Sequence, residues 1–166
     1  LVVYKSVRTA GTRLDEAISQ YLKKEYNIMI GDRTSENIKL KWGNAFPDSS
    51  IEDKMVEVKG RDVYSGLPKI LEVPQKAFSD ALIKPLKLIL EGIKEVLAET
   101  PPELASDIID KGIVLSGGTA SLKNIDKYFA HELGVPCFVA EEPLLCVIKG
   151  VGMAIENLDQ YKGAIR

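Results

Sequence analysis

The chain is poor in the residues that most often carry nucleophilic catalysis, metal binding and cross-linking. It has two cysteines, one histidine and one tryptophan in 166 residues. Cys137 and Cys146 stand in the apolar contexts VPCFV and LLCVI. A pair this sparse is no secreted disulfide framework, and reduced thiols in a cytoplasmic protein are expected. One histidine, His131, cannot furnish a credible Ser/His/Asp or Cys/His arrangement. No Cys, His or acidic cluster at metal-ligand spacing accompanies it, so it is placed on the polar face of a helix and no catalytic or metal residue is assigned. Charge of one sign is lacking too. Lys and Arg number 22 against 24 Asp and Glu, a formal net charge of -2, which argues against a nucleic-acid partner. Apolar runs such as residues 86–90 are broken by lysines within a few positions, so no segment is expected to span a bilayer. No P-loop, internal repeat or low-complexity stretch occurs. Residue 1 is Leu rather than Met, with no signal-peptide pattern, which leads us to expect an excised part of a longer product.

What is present is ordinary globular material, 45% hydrophobic and 28% charged, enough to bury a core. Residues 1–8 (LVVYKSVR) read as a strand. Leu14, Ala17, Ile18, Tyr21 and Leu22 fall at helical spacing, with Asp15 and Glu16 expected in the first turn and an end before Gly31. Thr34 is expected to cap a second helix through Trp42. Residues 43–53 read as a polar loop. Strands are expected over 54–59 and 69–73, with Val56 and Val58 facing inward and Gly60, Arg61 and Asp62 in the connection between them. Leu82, Leu86, Ile89, Ile93, Val96 and Leu97 form a helical stripe in which Pro85 must mark the first turn or a kink. Thr100, Pro101 and Glu103 predict a capping box for the next helix. A buried strand over 112–116 then turns at Gly117 and Gly118 into a helix carrying Leu122, Ile125, Phe129 and Leu133. A second strand is expected over 135–139. A last helix opens at Pro143, with Val147, Ile148, Val151, Ala154, Ile155 and Leu158 on its packing side. The rhythm predicts an α/β fold with a parallel strand pair joined by a crossover helix, and an inserted α+β lobe in the middle.

Four places invite a functional reading. Gly117 and Gly118, after a strand and before a helix, would let a phosphate or nucleotide approach backbone N–H groups; on pattern alone a plain tight turn is favoured. Glu36 and Lys39, three apart on a helix, have the groups to bond a ribose and flank a purine, against the plainer reading of a solvated i,i+3 ion pair. Arg61 has the charge for an anion but reads as a wet hairpin tip. Gly150 and Gly152 interrupt the last helix, either for the close approach of a ligand or backbone or for tight helix–sheet packing.

A longer pattern runs through these sites. Ala10 and Gly11 precede Leu14-Asp15-Glu16-Ala17-Ile18; Lys24-Glu25-Tyr26-Asn27 and Ile30-Gly31-Asp32-Arg33-Thr34-Ser35-Glu36 come next. Farther on stand Val58-Lys59-Gly60-Arg61-Asp62, Ser65-Gly66-Leu67-Pro68-Lys69, Thr100-Pro101-Pro102-Glu103-Leu104-Ala105 and Ala140-Glu141-Glu142-Pro143-Leu144. In this order and over nearly the whole chain, the sequence resembles the MreB family, the bacterial actin-like filament proteins that determine cell shape. Two positions depart from the family pattern: Thr12 takes a place that is usually acidic, and Thr119 takes that of a third glycine.

The resemblance implies an RNase H-like lobe of the actin/Hsp70 ATPase type. Residues 1–32 and 75–166 would form its core and residues 33–74 a small inserted α+β subdomain. It implies adenosine contacts at Gly117, Gly118 and Thr119, with Glu36 and Lys39 reaching ribose and base. ATP would be the ligand, with Mg2+ held mostly by a part of the fold that this chain lacks. That part includes the phosphate-binding hairpin, the rest of the N-terminal lobe and a membrane-binding segment. Without those groups the chain is not expected to turn ATP over alone. The implied partners are other copies in a filament, the N-terminal lobe, and membrane-bound cell-shape and wall-synthesis proteins, in cytoplasmic filaments associated with the membrane. The alternative is a stand-alone, non-catalytic interaction module derived from the same lobe; a chaperone or sugar-kinase ATPase sharing the fold fits the quoted blocks less well. If the adenosine assignment holds, Glu36→Ala weakens ATP binding by the intact protein and leaves its melting temperature nearly unchanged. Parallel losses of affinity and stability would instead make Glu36 structural.

Overall fold

A computed structural model of the chain describes residues 1–46 and 54–161. The apolar stripe of the first helix, α1 (Gly11–Tyr26), sets its place: Leu14, Ile18 and Leu22 are fully buried. Because α1 starts at Gly11 behind the N-cap Ala10, Asp15 and Glu16 fall in its second turn rather than its first. Asn27 closes it in the left-handed conformation, a geometry that Asn tolerates. The short strand β1 (Ile28–Met29) leads into α2 (Asp32–Trp42). Here Thr34 is not the cap. Extended Gly31 precedes the helix, its carbonyl accepts the Thr34 and Ser35 N–H groups, and no side chain caps the end. The polar loop expected over 43–53 lies, beyond Phe46, outside the described residues.

Strands β2 (Met55–Asp62) and β3 (Pro68–Pro74) pair antiparallel with Val58 opposite Leu71, and β1 pairs with the far end of β2, giving the order β1-β2-β3. Val56 and Val58 are buried while Met55, Glu57 and Lys59 are exposed, as the alternation requires. Gly60 and Arg61 do not sit at a hairpin tip; they continue β2. A Cβ on Gly60 would lie 2.4 Å from the Met29 carbonyl oxygen, so the β1–β2 approach needs a glycine. Asp62 builds the turn itself. Its carboxylate accepts the Ser65 N–H (2.9 Å), the Tyr64 N–H (3.0 Å), the Ser65 hydroxyl (3.1 Å) and the Lys69 ammonium (3.0 Å).

Helix α3 (Gln75–Glu99) packs Phe78, Leu82, Leu86 and Leu90 into one core with the α1 stripe, Val56, Val58, Ile125 and Phe129. Pro85 is eleventh of its 25 residues and buried, not in the first turn; it leaves the Ala81 carbonyl without its helical donor. The capping box before α4 (Pro102–Lys111) does not form, because the Thr100 hydroxyl donates back to the Val96 carbonyl at 2.7 Å and Pro101 takes the N-cap position.

The predicted parallel pair is β4 (Ile113–Leu115) and β5 (Cys137–Val139), joined through a single 3-10 turn (Gly118–Ser121) and the crossover helix α5 (Ile125–Leu133). His131 is exposed in the last turn of α5, as its polar placement requires. Strand β4 is not buried as expected. Val114 is 68% exposed and Phe138 and Val139 are also exposed, because this two-stranded sheet is covered on one face only. Residues 1–8 form no strand either: they have no ladder partner among the described residues, and Val7 lies against Gly92 while Lys5 pairs with Glu95. A β-rich segment without a neighbouring strand has nothing to satisfy its backbone ladder.

The last long helix, α6 (Cys146–Glu156), starts three residues after Pro143, and a short α7 (Leu158–Tyr161) comes after it. No residue of α6 is buried, and its expected packing side, Val147, Ile148, Val151 and Ile155, is exposed. A Cβ on Gly150 or Gly152 would meet nothing within 4 Å, so neither glycine serves a close approach among the described residues. No helix among those residues is long and apolar enough to cross a membrane.

The Asp62 turn carries a pH signature. Chiefly the Ser65 N–H, then the Lys69 ammonium, hold its carboxyl well below the usual carboxylate range. The folded pKa lies below the unfolded one, so this stabilisation is complete above about pH 4 and is lost as pH falls toward the folded value. Urea midpoints of the wild type are expected to fall below pH 4 more steeply than those of Asp62→Asn. Parallel curves would remove the turn from the acid response.

Candidate functional site

The five residues singled out from the sequence lie on two elements. Glu36 and Lys39 are on α2; Gly117, Gly118 and Thr119 form the turn after β4. Glu36 and Lys39 do not make the i,i+3 pair that their spacing allows. Lys39 instead reaches across to α1, where its ammonium lies 2.8 and 2.9 Å from the two Asp15 carboxylate oxygens and donates to the Gly11 carbonyl at 3.2 Å. The side chains of Lys39 and Asp15 are only 12% and 16% exposed. Glu36, one turn earlier, is exposed and has no side-chain partner among the described residues.

Gly117 has φ +84°, with open space where a Cβ would point, the left-handed region in which glycine costs least. Its N–H donates to the Pro143 carbonyl at 2.8 Å and its carbonyl accepts the Ala120 N–H at 3.1 Å. Gly118 lies under Leu144: a Cβ there would be 3.3 Å from Leu144 Cδ2. The segment after β5 therefore crosses this turn, and within it Glu142 holds a positive φ of 46°, an uncommon state for a residue with a Cβ. The glycines lead into one 3-10 turn, not the long helix predicted, and α5 begins only at Ile125. No extended helix dipole is aimed at this spot.

The two elements meet at Gly11. Lys39 Nζ lies 3.5 Å and Thr119 Oγ1 3.9 Å from the point where a Cβ on Gly11 would sit. Three of the five candidates are continuous in the turn and a fourth, Lys39, is brought to its edge; Glu36 stands outside this contact. Behind Thr119, beside Ala120, Leu115, Ile125 and Phe129, an apolar cavity of about 260 Å³ opens toward Ile89 and Ile93 of α3.

A brace that the sequence did not disclose keeps the elements in register. The Asn44 side-chain oxygen accepts the Asn124 side-chain N–H at 3.1 Å and the Phe46 N–H at 3.1 Å, and the Ala45 N–H donates to the Lys123 carbonyl at 2.9 Å. Asn44 is buried, and Asn124 takes the left-handed N-cap position of α5. Beside them Gly43 is irreplaceable sterically: a Cβ would fall 2.4 Å from the Lys39 carbonyl oxygen and 2.9 Å from Leu122 Cδ1. Asp15, Gly43, Asn44 and Asn124 escape a reading of the sequence because each looks locally like ordinary helix surface or loop. Only the contact between distant segments gives them a role. Arg61, in the β2 strand, contributes nothing here. Among the described residues no three His, Cys, Asp or Glu gather to hold a metal ion.

This mixed α/β chain, with its parallel strand pair, crossover helix and glycine turn, has the fold of the actin-like ATPase class, as its likeness to solved structures shows. The crystal structure of MreB5 of Spiroplasma citri bound to AMPPNP superposes with a TM-score of 0.88 at 34% identity, over 96% of this chain and 47% of that one. The MamK double helical filament shares the fold at TM-score 0.65 and 17% identity, over 81% of this chain and 41% of that one. The family model for MreB/Mbl protein matches residues 1–163, and the chain belongs to that family. It is 42% identical over 160 residues to the cell shape-determining protein Mbl of Bacillus subtilis, covering 96% of this chain and 47% of that protein. It is also 42% identical over 163 residues to the cell shape-determining protein MreB of Escherichia coli K12, covering 98% and 46%. The chain thus spans about half the length of the curated relatives it matches.

The brace has a measurable consequence. Asn44→Ala removes a buried acceptor from two N–H groups, which costs about 1–3 kcal/mol. A urea titration should show the loss as a lower midpoint at unchanged slope; an unchanged midpoint would mean the brace contributes nothing.

Proposed function

We propose that this chain is the C-terminal half of an MreB-like cytoskeletal protein that binds ATP, polymerises into filaments and organises cell-wall synthesis to set cell shape. The observation that carries the reading is the convergence of Lys39 and Thr119 on Gly11 beside the open glycine turn. The likeness to MreB5 structures bound to AMPPNP and to ADP supports it. Adenosine would lie against Gly117, Gly118 and Thr119. The Glu36 carboxylate, without a partner among the described residues, would accept hydrogen bonds from the ribose hydroxyls, and Lys39 would flank the base with its held ammonium. ATP supplies the triphosphate chemistry when bound; the residues here bind and orient its nucleoside end.

The reading leaves Mg2+ mostly to the phosphates and to groups outside this chain. Phosphoryl transfer rests on such positioning groups, and the part proposed for the residues here is to bind the nucleoside end. Residues 33–74 are proposed as the small subdomain inserted in the core of 1–32 and 75–166; β1 of the core segment shares a sheet with β2 of the insert. Cytoplasmic filaments at the membrane, with membrane-bound cell-shape and wall-synthesis partners, complete the reading.

The exposed apolar side chains of α6 and the open face of β4 and β5 favour association with a further protein surface. They fit contacts with the N-terminal lobe or a filament neighbour, and equally the second reading, a non-catalytic interaction module. Nucleotide decides between the two. Titration of a fluorescent ATP analogue into the intact protein is expected to saturate, to be reversed by ATP and ADP, and to accompany ATP-dependent sedimentation. Absence of saturable binding would leave the interaction module.

A further inference from the structure

A lysine on a helix surface is free to sample many rotamers, and its ammonium meets a ligand reproducibly only if something holds it. Lys39 is held. Its Nζ donates to Asp15 Oδ2 and to the Gly11 carbonyl and lies within ion-pair distance of Asp15 Oδ1, in a setting where both side chains are largely out of water. The partner acid is Asp15 on α1 and not Glu36, the acid on Lys39's own helix. Glu36 stays exposed and unpaired among the described residues. The held ammonium sits within 4 Å of the same point over Gly11 as the Thr119 hydroxyl. Among the described residues, Asp15 is thus the side chain that fixes where Lys39 stands relative to the turn.

We propose that Asp15 is a positioning residue of the nucleotide site, whose carboxylate holds the Lys39 ammonium beside Gly11 and Thr119 so that nucleotide affinity depends on it without direct contact. The proposal rests on the reading of this site as one that takes a nucleotide. The two carboxylates then divide the work: Asp15 orients the lysine, and Glu36 is left for the ligand.

The test is a double-mutant cycle on the intact protein, read by titration of a fluorescent ATP analogue with Mg2+. Asp15→Asn and Lys39→Met are each expected to weaken binding about tenfold, the scale of one hydrogen bond to a charged group. The combined variant should bind no more weakly than Lys39→Met alone, since Asp15 acts only through the lysine. Asp15→Glu should recover part of the affinity. Independently, nitrogen-15 NMR should show a Lys39 ammonium signal protected from exchange in the wild type and lost in Asp15→Asn. If Asp15→Asn lowers the melting temperature but binds the analogue as the wild type does, or if the two losses multiply, the proposal is overturned while the nucleotide site stands. If the wild type itself binds no nucleotide, the site reading falls and the proposal with it. Should Asp15→Asn fail to fold, Asp15→Ser decides: affinity equal to the wild type overturns the proposal, and a loss that disappears in the Lys39→Met background upholds it.

Discussion

Burial of the α1 stripe is the constraint on which the other elements depend. Leu14, Ile18 and Leu22 have no exposed surface, and each such side chain contributes on the order of 1.5–3 kcal/mol by leaving water. To bury them, α2 must lie across one side of α1 and α3 along another, with the inner face of β2 completing the core. That placement brings Lys39 over the second turn of α1. The Lys39–Asp15 pair is then a consequence of the packing, because two helices held together by apolar residues carry their polar neighbours into range. A pair with both side chains largely desolvated adds little net stability. It does fix geometry, which is what a binding site asks of it.

The glycine turn is placed by a second, separate set of contacts. Phe129 and Ile125 anchor α5 in the common core, and α5 carries the parallel strands with it. Gly43 against Leu122, and Asn44 with Asn124, then join the end of α2 to the segment after the turn. The candidate site lies where these two sets meet. Its precision comes from backbone hydrogen bonds and from the absence of two Cβ atoms, at Gly43 and Gly117.

The same structure is unfinished on one side. The outer face of β4 and β5, the apolar residues of α6, and Leu1, Val2 and Tyr4 at the start of the chain all stand exposed. The core behind α1 is buried, whereas these elements resemble surfaces prepared for contact.

Much of the fold was legible in the sequence. The α1 stripe, the inward Val56 and Val58, and the parallel pair with its crossover helix all carry their period in the residues themselves, and a buried face imposes that period. The family blocks identified the class, and Gly117 and Gly118 were recognisable as a sharp turn, in which only Gly117 takes a positive φ. Tertiary structure decided what periodicity does not encode. The stripe of α6 has the right spacing and is buried against nothing, because amphipathicity says which face wants burial and not whether a partner is there. Residues 1–8 have strand composition but no neighbouring strand. Thr34 and Thr100 have the right chemistry for caps, yet the helices began elsewhere, since the backbone of Gly31 and Pro101 fitted the ends first. At the site, the sequence supplied Glu36, Lys39 and the glycines. It could not supply Asp15, because spacing along one helix reveals i,i+3 neighbours and is silent about an acid on another helix that only the packing of Leu14 and Ile18 brings to 2.8 Å.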